Sequence, residues 1–282
     1  MTGITLNGVV LLGQALDWNG MDGEWSFLTA LPTLAAVAWH YGMVDKKNSL
    51  DPQIERARAF AASEYLKVLY QGDSAPLADK ARVAKELSAL TGLSQDFILR
   101  KNLRVSPHEF ASELLASKNL QVGLYDARYT LPLRSSGDEA LVDDPAAQYL
   151  PAFVAANDEY LRKNLRVATD RPYKALEFRS INSRWNWGLG PAIPPRGSFA
   201  ADLAVAMRRN PSLNVLVGEG IFDLVTTMGS ADYMINHAGI NRARVFVKRY
   251  ASGHMPYIGD ANRKQLAKDI RDFIKAQSRP PR

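Results

Sequence analysis

The chain has 282 residues, 46% of them hydrophobic, and 35 lysines and arginines stand against 29 aspartates and glutamates for a formal charge of +6. That composition suits a soluble globular protein and argues against a disordered or membrane-spanning chain. The charges alternate in sign along helical stretches, so no nucleic-acid footprint is expected, and without cysteine there is no disulfide, thiol nucleophile or cysteine-based zinc site.

The start of the chain lacks a basic n-region, and its apolar run is too short for a signal peptide or membrane anchor, which leaves the compartment open. Residues 6–13 (LNGVVLLG) read as a strand buried on both faces of a parallel sheet. A long, largely helical stretch follows, from about 25 to 207. Within it Ser74 and Pro76 open a helix that places Val83, Leu87 and Leu90 on one face. Ser106, Pro107 and Glu109 form a capping box with proline at the first helical position, starting a helix through Ala116. From 121 to 196 proline, glycine, aspartate and aromatics predominate, the text of irregular segments over a surface or cleft. Tyr125, Tyr129, Trp185 and Trp187 line either that cleft or the core, and Arg128 and Arg184 meet either a substrate carboxylate or solvent.

Residues 208–282 return to α/β order. Strand 213–217 (LNVLV) leads to Asp223, and the helix beyond it carries Ala231, Met234, Ile235 and Ala238 on one face. Strand 244–250 (RVFVKRY) leads to Gly253, His254 and Met255. A last helix, from near Asp260, lays Leu266, Ile270, Phe273 and Ile274 on the sheet, and the basic residues 279–282 form a frayed tail. The expected fold is α/β, with a partial core in 1–24, a helical cap in 25–207 and a carboxyl-terminal core in 208–282. Three core strands under so large a cap imply marginal stability, and the exposed edge of so small a sheet invites self-association or pairing with another segment.

Asp223 and His254 both follow the carboxyl ends of strands, where open α/β sheets bind ligands, and in the order of the last two members of a hydrolase triad. No G-x-S-x-G elbow occurs in the chain, and Ser230 and Ser252 lack that context. An aspartate in this place also serves as a turn former or cap, as Thr226 and Thr227 could. His40, within AVAWHYG, reads as a packed, hydrogen-bonded residue of an aromatic-rich helix, and His108 and His237 read as helix residues. No Glu/His cluster has metal-ligand spacing, so neither metal nor cofactor is expected. Gly218-Glu219-Gly220 lacks the length and Lys-Ser/Thr ending of a phosphate loop and reads as a tight exit that turns Asp223 inward.

Taken in order, LNGVVLL (6–12), LPTLAAVAWH (31–40), TGLSQDFILRKNLR (91–104), GLYDARY (123–129), AVAMRRNP (204–211), GEGIFDLVTT (218–227) and SGHMPYI (252–258) resemble the serine carboxypeptidase family, especially its bacterial branch. The resemblance covers almost the whole chain and is most specific at Gly220-Ile221-Phe222-Asp223 with Thr226 and at Gly253-His254-Met255. It implies an α/β-hydrolase core, amino-truncated here, with a large, mostly helical insertion after the sixth strand, matched by 6–13. It implies that the earlier strands, the oxyanion-hole glycines and the G-E-S-Y-G elbow precede Met1. Asp223 would be the triad acid and His254 the general base, with Met255 lining the pocket for the departing residue of a peptide substrate. The implied activity is release of a carboxyl-terminal residue through an acyl-enzyme, with this chain inactive or nearly so by itself, and the family suggests an exported or periplasmic setting. Two other readings share these residues: a non-catalytic remnant that binds a partner, and an esterase-like hydrolase.

Overall fold

The protein is described by a computed structural model that covers residues 5–17, 19–47, 49–133, 144–171, 173, 181, 184 and 198–277. It forms two compact units, Met1–Ser135 together with Gly197–Arg282, and Ser136–Arg196. In chain order the elements are β1 (Gly8–Leu12), α1 (Gly23–His40), α2 (Leu50–Phe60), α3 (Leu66–Gln71), α4 (Leu77–Thr91), α5 (Gln95–Arg100), α6 (Pro107–Glu113), β2 (Leu120–Val122) and β3 (Thr130–Pro132). There follow α7 (Leu150–Glu159), α8 (Ala200–Arg209), β4 (Asn214–Gly220), α9 (Met228–His237), β5 (Val245–Tyr250) and α10 (Asp260–Gln277). None of the described helices is long and apolar enough to cross a membrane.

The three strands read from the sequence form one parallel sheet in the order β1-β4-β5, with Val9 opposite Val215 and Val217 opposite Val247. The chain is therefore a mixed α/β protein with a small parallel sheet. Central β4 is buried along nearly its whole length, as a strand covered on both faces should be. β1 departs from the expectation of burial on both faces: it is only partly buried, because among the described residues it pairs with β4 alone and stands at the sheet edge. β1 and β4 close on Gly13, whose N–H donates to the Gly218 carbonyl at 3.1 Å.

Two apolar clusters hold this unit together. One joins the sheet to α8 and α9 through Val215, Val217, Met207, Met234 and Ile235. The larger one surrounds α1, whose residues 28–38 are all buried, as befits a helix that is apolar all round. It takes in α2, α4, α6 and also Phe222, Leu224 and Met228 from the segment after β4, so the helical layer is continuous with the loop that carries Asp223. α1 and α9 meet closely: a Cβ on Gly229 would stand 2.1 Å from the Thr29 carbonyl oxygen.

Local signals behave as their chemistry predicts, with some shifts of boundary. The Ser106 hydroxyl accepts from Glu109 N–H at 3.2 Å while the Glu109 carboxylate accepts from Ser106 N–H at 2.9 Å, so α6 does begin on a capping box. α6 ends at Glu113, not Ala116, which falls in a following 3₁₀ turn. α4 buries Val83, Leu87 and Leu90, but Ser74 does not cap it, since its hydroxyl donates to Gln71. On α10 Leu266 and Phe273 face the sheet and Ile274 does not: it is 55% exposed, and the polar Asp269 is buried in the stripe to accept from the Tyr250 hydroxyl. The β2–β3 hairpin lies in the segment expected to be irregular. The unit 136–196 shows α7, continued by one turn through Asn164 and braced by Arg162–Asp158 and Lys163–Glu159 pairs one helical turn apart.

Candidate active site

Asp223 lies three residues beyond β4 and His254 four beyond β5, at the same end of two neighbouring parallel strands. The strand ends can approach because two glycines meet between them. A Cβ on Gly220 would lie 2.0 Å from the Gly253 carbonyl oxygen, and one on Gly253 would lie 2.2 Å from the Tyr125 carbonyl oxygen. The turns are also stitched directly, Ile221 N–H donating to the Tyr250 carbonyl and Phe222 N–H to the Ser252 carbonyl, each at 2.9 Å.

The Asp223 carboxylate is fully buried and fully engaged. Oδ1 accepts from the N–H groups of Val225 and Thr226 at 2.8 and 2.9 Å. Oδ2 accepts from the Thr226 hydroxyl at 2.6 Å and faces His254 Nδ1 at 2.8 Å. Oδ1 thus closes the turn, as a turn-forming aspartate does, while Oδ2 faces the imidazole. The Thr226 hydroxyl spends its single proton on Asp223, so at 3.2 Å from Nδ1 it can only accept, and the Nδ1 proton is shared between Asp223 and Thr226. This fixes the tautomer with the proton on Nδ1 and leaves Nε2 with a free lone pair, which has no hydrogen-bond partner among the described residues.

His254 is partly exposed, whereas its partner is not. Burial by itself would lower the imidazole pKa, but the hydrogen bond and charge of Asp223 outweigh it and hold the pKa above the ordinary 6.5. The Tyr125 ring stands edge-on to the imidazole at 5.4 Å, and a Cβ on Gly13, just beyond β1, would lie 3.0 Å from the imidazole Cε1. Met255 follows on the same turn, half-buried, its carbonyl accepting from Ile258 N–H.

Other candidates fall elsewhere. Arg128 is committed to Asp126 and to the Ala251 carbonyl, so the structure gives it a partner other than a substrate carboxylate. Arg184 is exposed, and Trp185 and Trp187 lie outside the described residues. His40 is exposed, not packed within its helix, and sets its ring against Tyr41 and Phe222. His237 is exposed and stacks on Tyr233, while His108 sits in the first turn of α6. The Ser230 hydroxyl donates to the Thr227 carbonyl, and the Ser252 hydroxyl is buried without a hydrogen-bond partner; neither reaches His254. Among the described residues no three His, Cys, Asp or Glu side chains converge as a metal site requires.

Sequence reasoning missed Asp126, which is buried and accepts from Gly253 N–H at 3.1 Å and from Arg128. The available signal was the Asp-x-Arg spacing in GLYDARY, a pair able to neutralise itself and so be buried.

Fold and site together define a class: an α/β protein with a buried carboxylate and an accessible imidazole paired at the carboxyl ends of adjacent parallel strands. Compared with known proteins, the chain finds no matching family model, no matching curated protein and no matching solved structure.

Proposed function

We propose that this chain carries the acid and base of a serine-type acyl hydrolase of carboxypeptidase kind, acting on the carboxyl-terminal end of peptides. The observation that carries the reading is the Asp223 Oδ2 to His254 Nδ1 contact at 2.8 Å with Nε2 left free. A hydroxyl is a poor nucleophile until a base removes its proton, and an imidazole whose Nδ1 is fixed by a buried carboxylate offers that base at Nε2. Asp223 would then orient the ring and stabilise the imidazolium, and Met255 would line the pocket for the departing residue. Thr226 cannot be the nucleophile, because it sits on the Nδ1 side with its proton given to Asp223.

The parallel order β1-β4-β5 supports an α/β-hydrolase core in which these are the sixth strand and the strands bearing the acid and the base. In that arrangement the nucleophile's strand pairs along the side of β1 that faces away from β4. Among the described residues no strand pairs along that edge, where backbone groups would be open to a strand of suitable register.

The test is labelling by a fluorophosphonate together with hydrolysis of a blocked dipeptide and of a short acyl ester. It is run on this chain and on one extended upstream in the same reading frame. Labelling and peptide hydrolysis by the extended form alone, lost in His254→Ala, is the expected result. A preference for the ester would move the substrate class to esters, and absence of labelling in both forms would refute catalysis in favour of a partner-binding protein.

A further inference from the structure

The segment 124–128, between β2 and β3, crosses both turns of the site and is bonded to each. On the Asp223 turn, Ala127 N–H donates to the Phe222 carbonyl and Leu224 N–H to the Leu124 carbonyl, both at 3.0 Å. On the His254 turn, His254 N–H donates to the Tyr125 carbonyl at 2.6 Å and Gly253 N–H to Asp126 Oδ2 at 3.1 Å. Arg128 locks the segment shut: its Nε and Nη2 donate to the two Asp126 oxygens at 2.9 and 2.6 Å, and its Nη1 donates to the Ala251 carbonyl. The guanidinium also lies 5.8 Å from the centre of the Phe222 ring, beside the residue that precedes Asp223. The absence of a side chain at Gly253 is what lets the segment come this close.

We infer that this strap sets the distance between the two catalytic turns, with Asp126 as a positioning residue for His254. The inference rests on the reading of Asp223 and His254 as a working pair. The physical reason is that, among the described residues, the main-chain N–H groups of Gly253 and His254 find their acceptors on the strap, while the direct stitch from Phe222 N–H holds the turn one residue earlier, at the Ser252 carbonyl. β5 ends at Tyr250 and the stitch to Phe222 ends at Ser252, so without the strap the two residues that carry the base could shift by more than the tolerance of one hydrogen bond. Asp126 is buried and negatively charged, which would be costly alone; Arg128 neutralises it, and the remaining acceptor capacity goes to the Gly253 amide.

The test is a histidine-resolved NMR titration of the full chain, with His254 assigned through His254→Gln. The groups facing its ring are Asp223 and Thr226 from one turn and Tyr125 from the strap. In Asp126→Ala the far-downfield Nδ1–H resonance of a carboxylate-bonded imidazole should be lost and the His254 midpoint should move down. Asp126→Asn, whose amide oxygen can still accept from Gly253, should retain more of the resonance than the alanine variant. Retention of the resonance and midpoint by a folded Asp126→Ala, while Asp223→Asn loses both, would overturn the strap's role and leave the dyad standing. A wild-type His254 showing neither feature would remove the dyad and the strap's role together. If Asp126→Ala does not fold, amide hydrogen exchange on the wild type decides: protected Gly253 and His254 amides uphold the strap, and freely exchanging ones overturn it.

Discussion

Replacing Gly253 by alanine isolates the close packing that makes the site. The backbone of Gly253 is not in the left-handed region, so alanine meets no conformational strain there and the cost is one of contact. The new Cβ would lie 2.2 Å from the Tyr125 carbonyl oxygen and 2.5 Å from the Asp126 Cα, whereas ordinary contact begins at 3.4 Å, so strap or turn must withdraw by about 1.2 Å. Neither neighbour is the end of a flexible side chain. A movement of that size breaks the 2.6 Å bond from His254 N–H and the 3.1 Å bond from Gly253 N–H. Each buried group left unsatisfied costs about 1–3 kcal/mol, and overpacking alone costs a similar amount. The stiffer unfolded chain of an alanine variant returns only about 0.4–1 kcal/mol. The net expectation is a loss of at least about 2 kcal/mol in urea unfolding, together with loss of the His254 Nδ1–H resonance. A variant within about 0.5 kcal/mol of wild type that keeps the resonance would refute this account of the site's packing.

Two further outcomes follow from charge. Because the folded pKa of His254 lies above its ordinary 6.5, the Asp223–His254 pair stabilises the fold fully below that value and loses the contribution as pH rises through the folded midpoint. The stability gap between wild type and His254→Gln should therefore be wider at acid than at alkaline pH in paired urea titrations, and a pH-independent gap would contradict the pairing. In any active form the base must be neutral, so kcat/KM should rise with pH through that same elevated midpoint. Glu219 is buried in β4 with neither carboxylate oxygen hydrogen-bonded. Burial first, and then the Asp232 charge, push its pKa well above the carboxylate range against the nearby Arg249. A raised carboxyl pKa destabilises the fold as pH climbs past the unfolded value, so Glu219→Met should add about 1–3 kcal/mol at alkaline pH and less at pH 4. A destabilised variant at alkaline pH would show that Arg249 holds Glu219 ionised.

Much of the framework was legible in the sequence because it follows from short-range chemistry. The β-branched runs at 213–217 and 244–250 mark β4 and β5 to within a few residues, the Ser106-Pro107-Glu109 box starts a helix, and Asp223 and His254 sit just past strands. Each of these depends on a few consecutive residues and the periodicity of one element. What the sequence alone could not decide were contacts between segments far apart in the chain. The half-burial of β1 depends on which strands flank it, and the exposure of Ile274 on how α10 rolls over the sheet. Thr226 shares the Nδ1 proton, and Asp126, 127 residues before Gly253, holds the base's turn. A buried carboxylate acquires its partner only when the fold brings a distant amide within hydrogen-bond reach, and no local pattern encodes that distance.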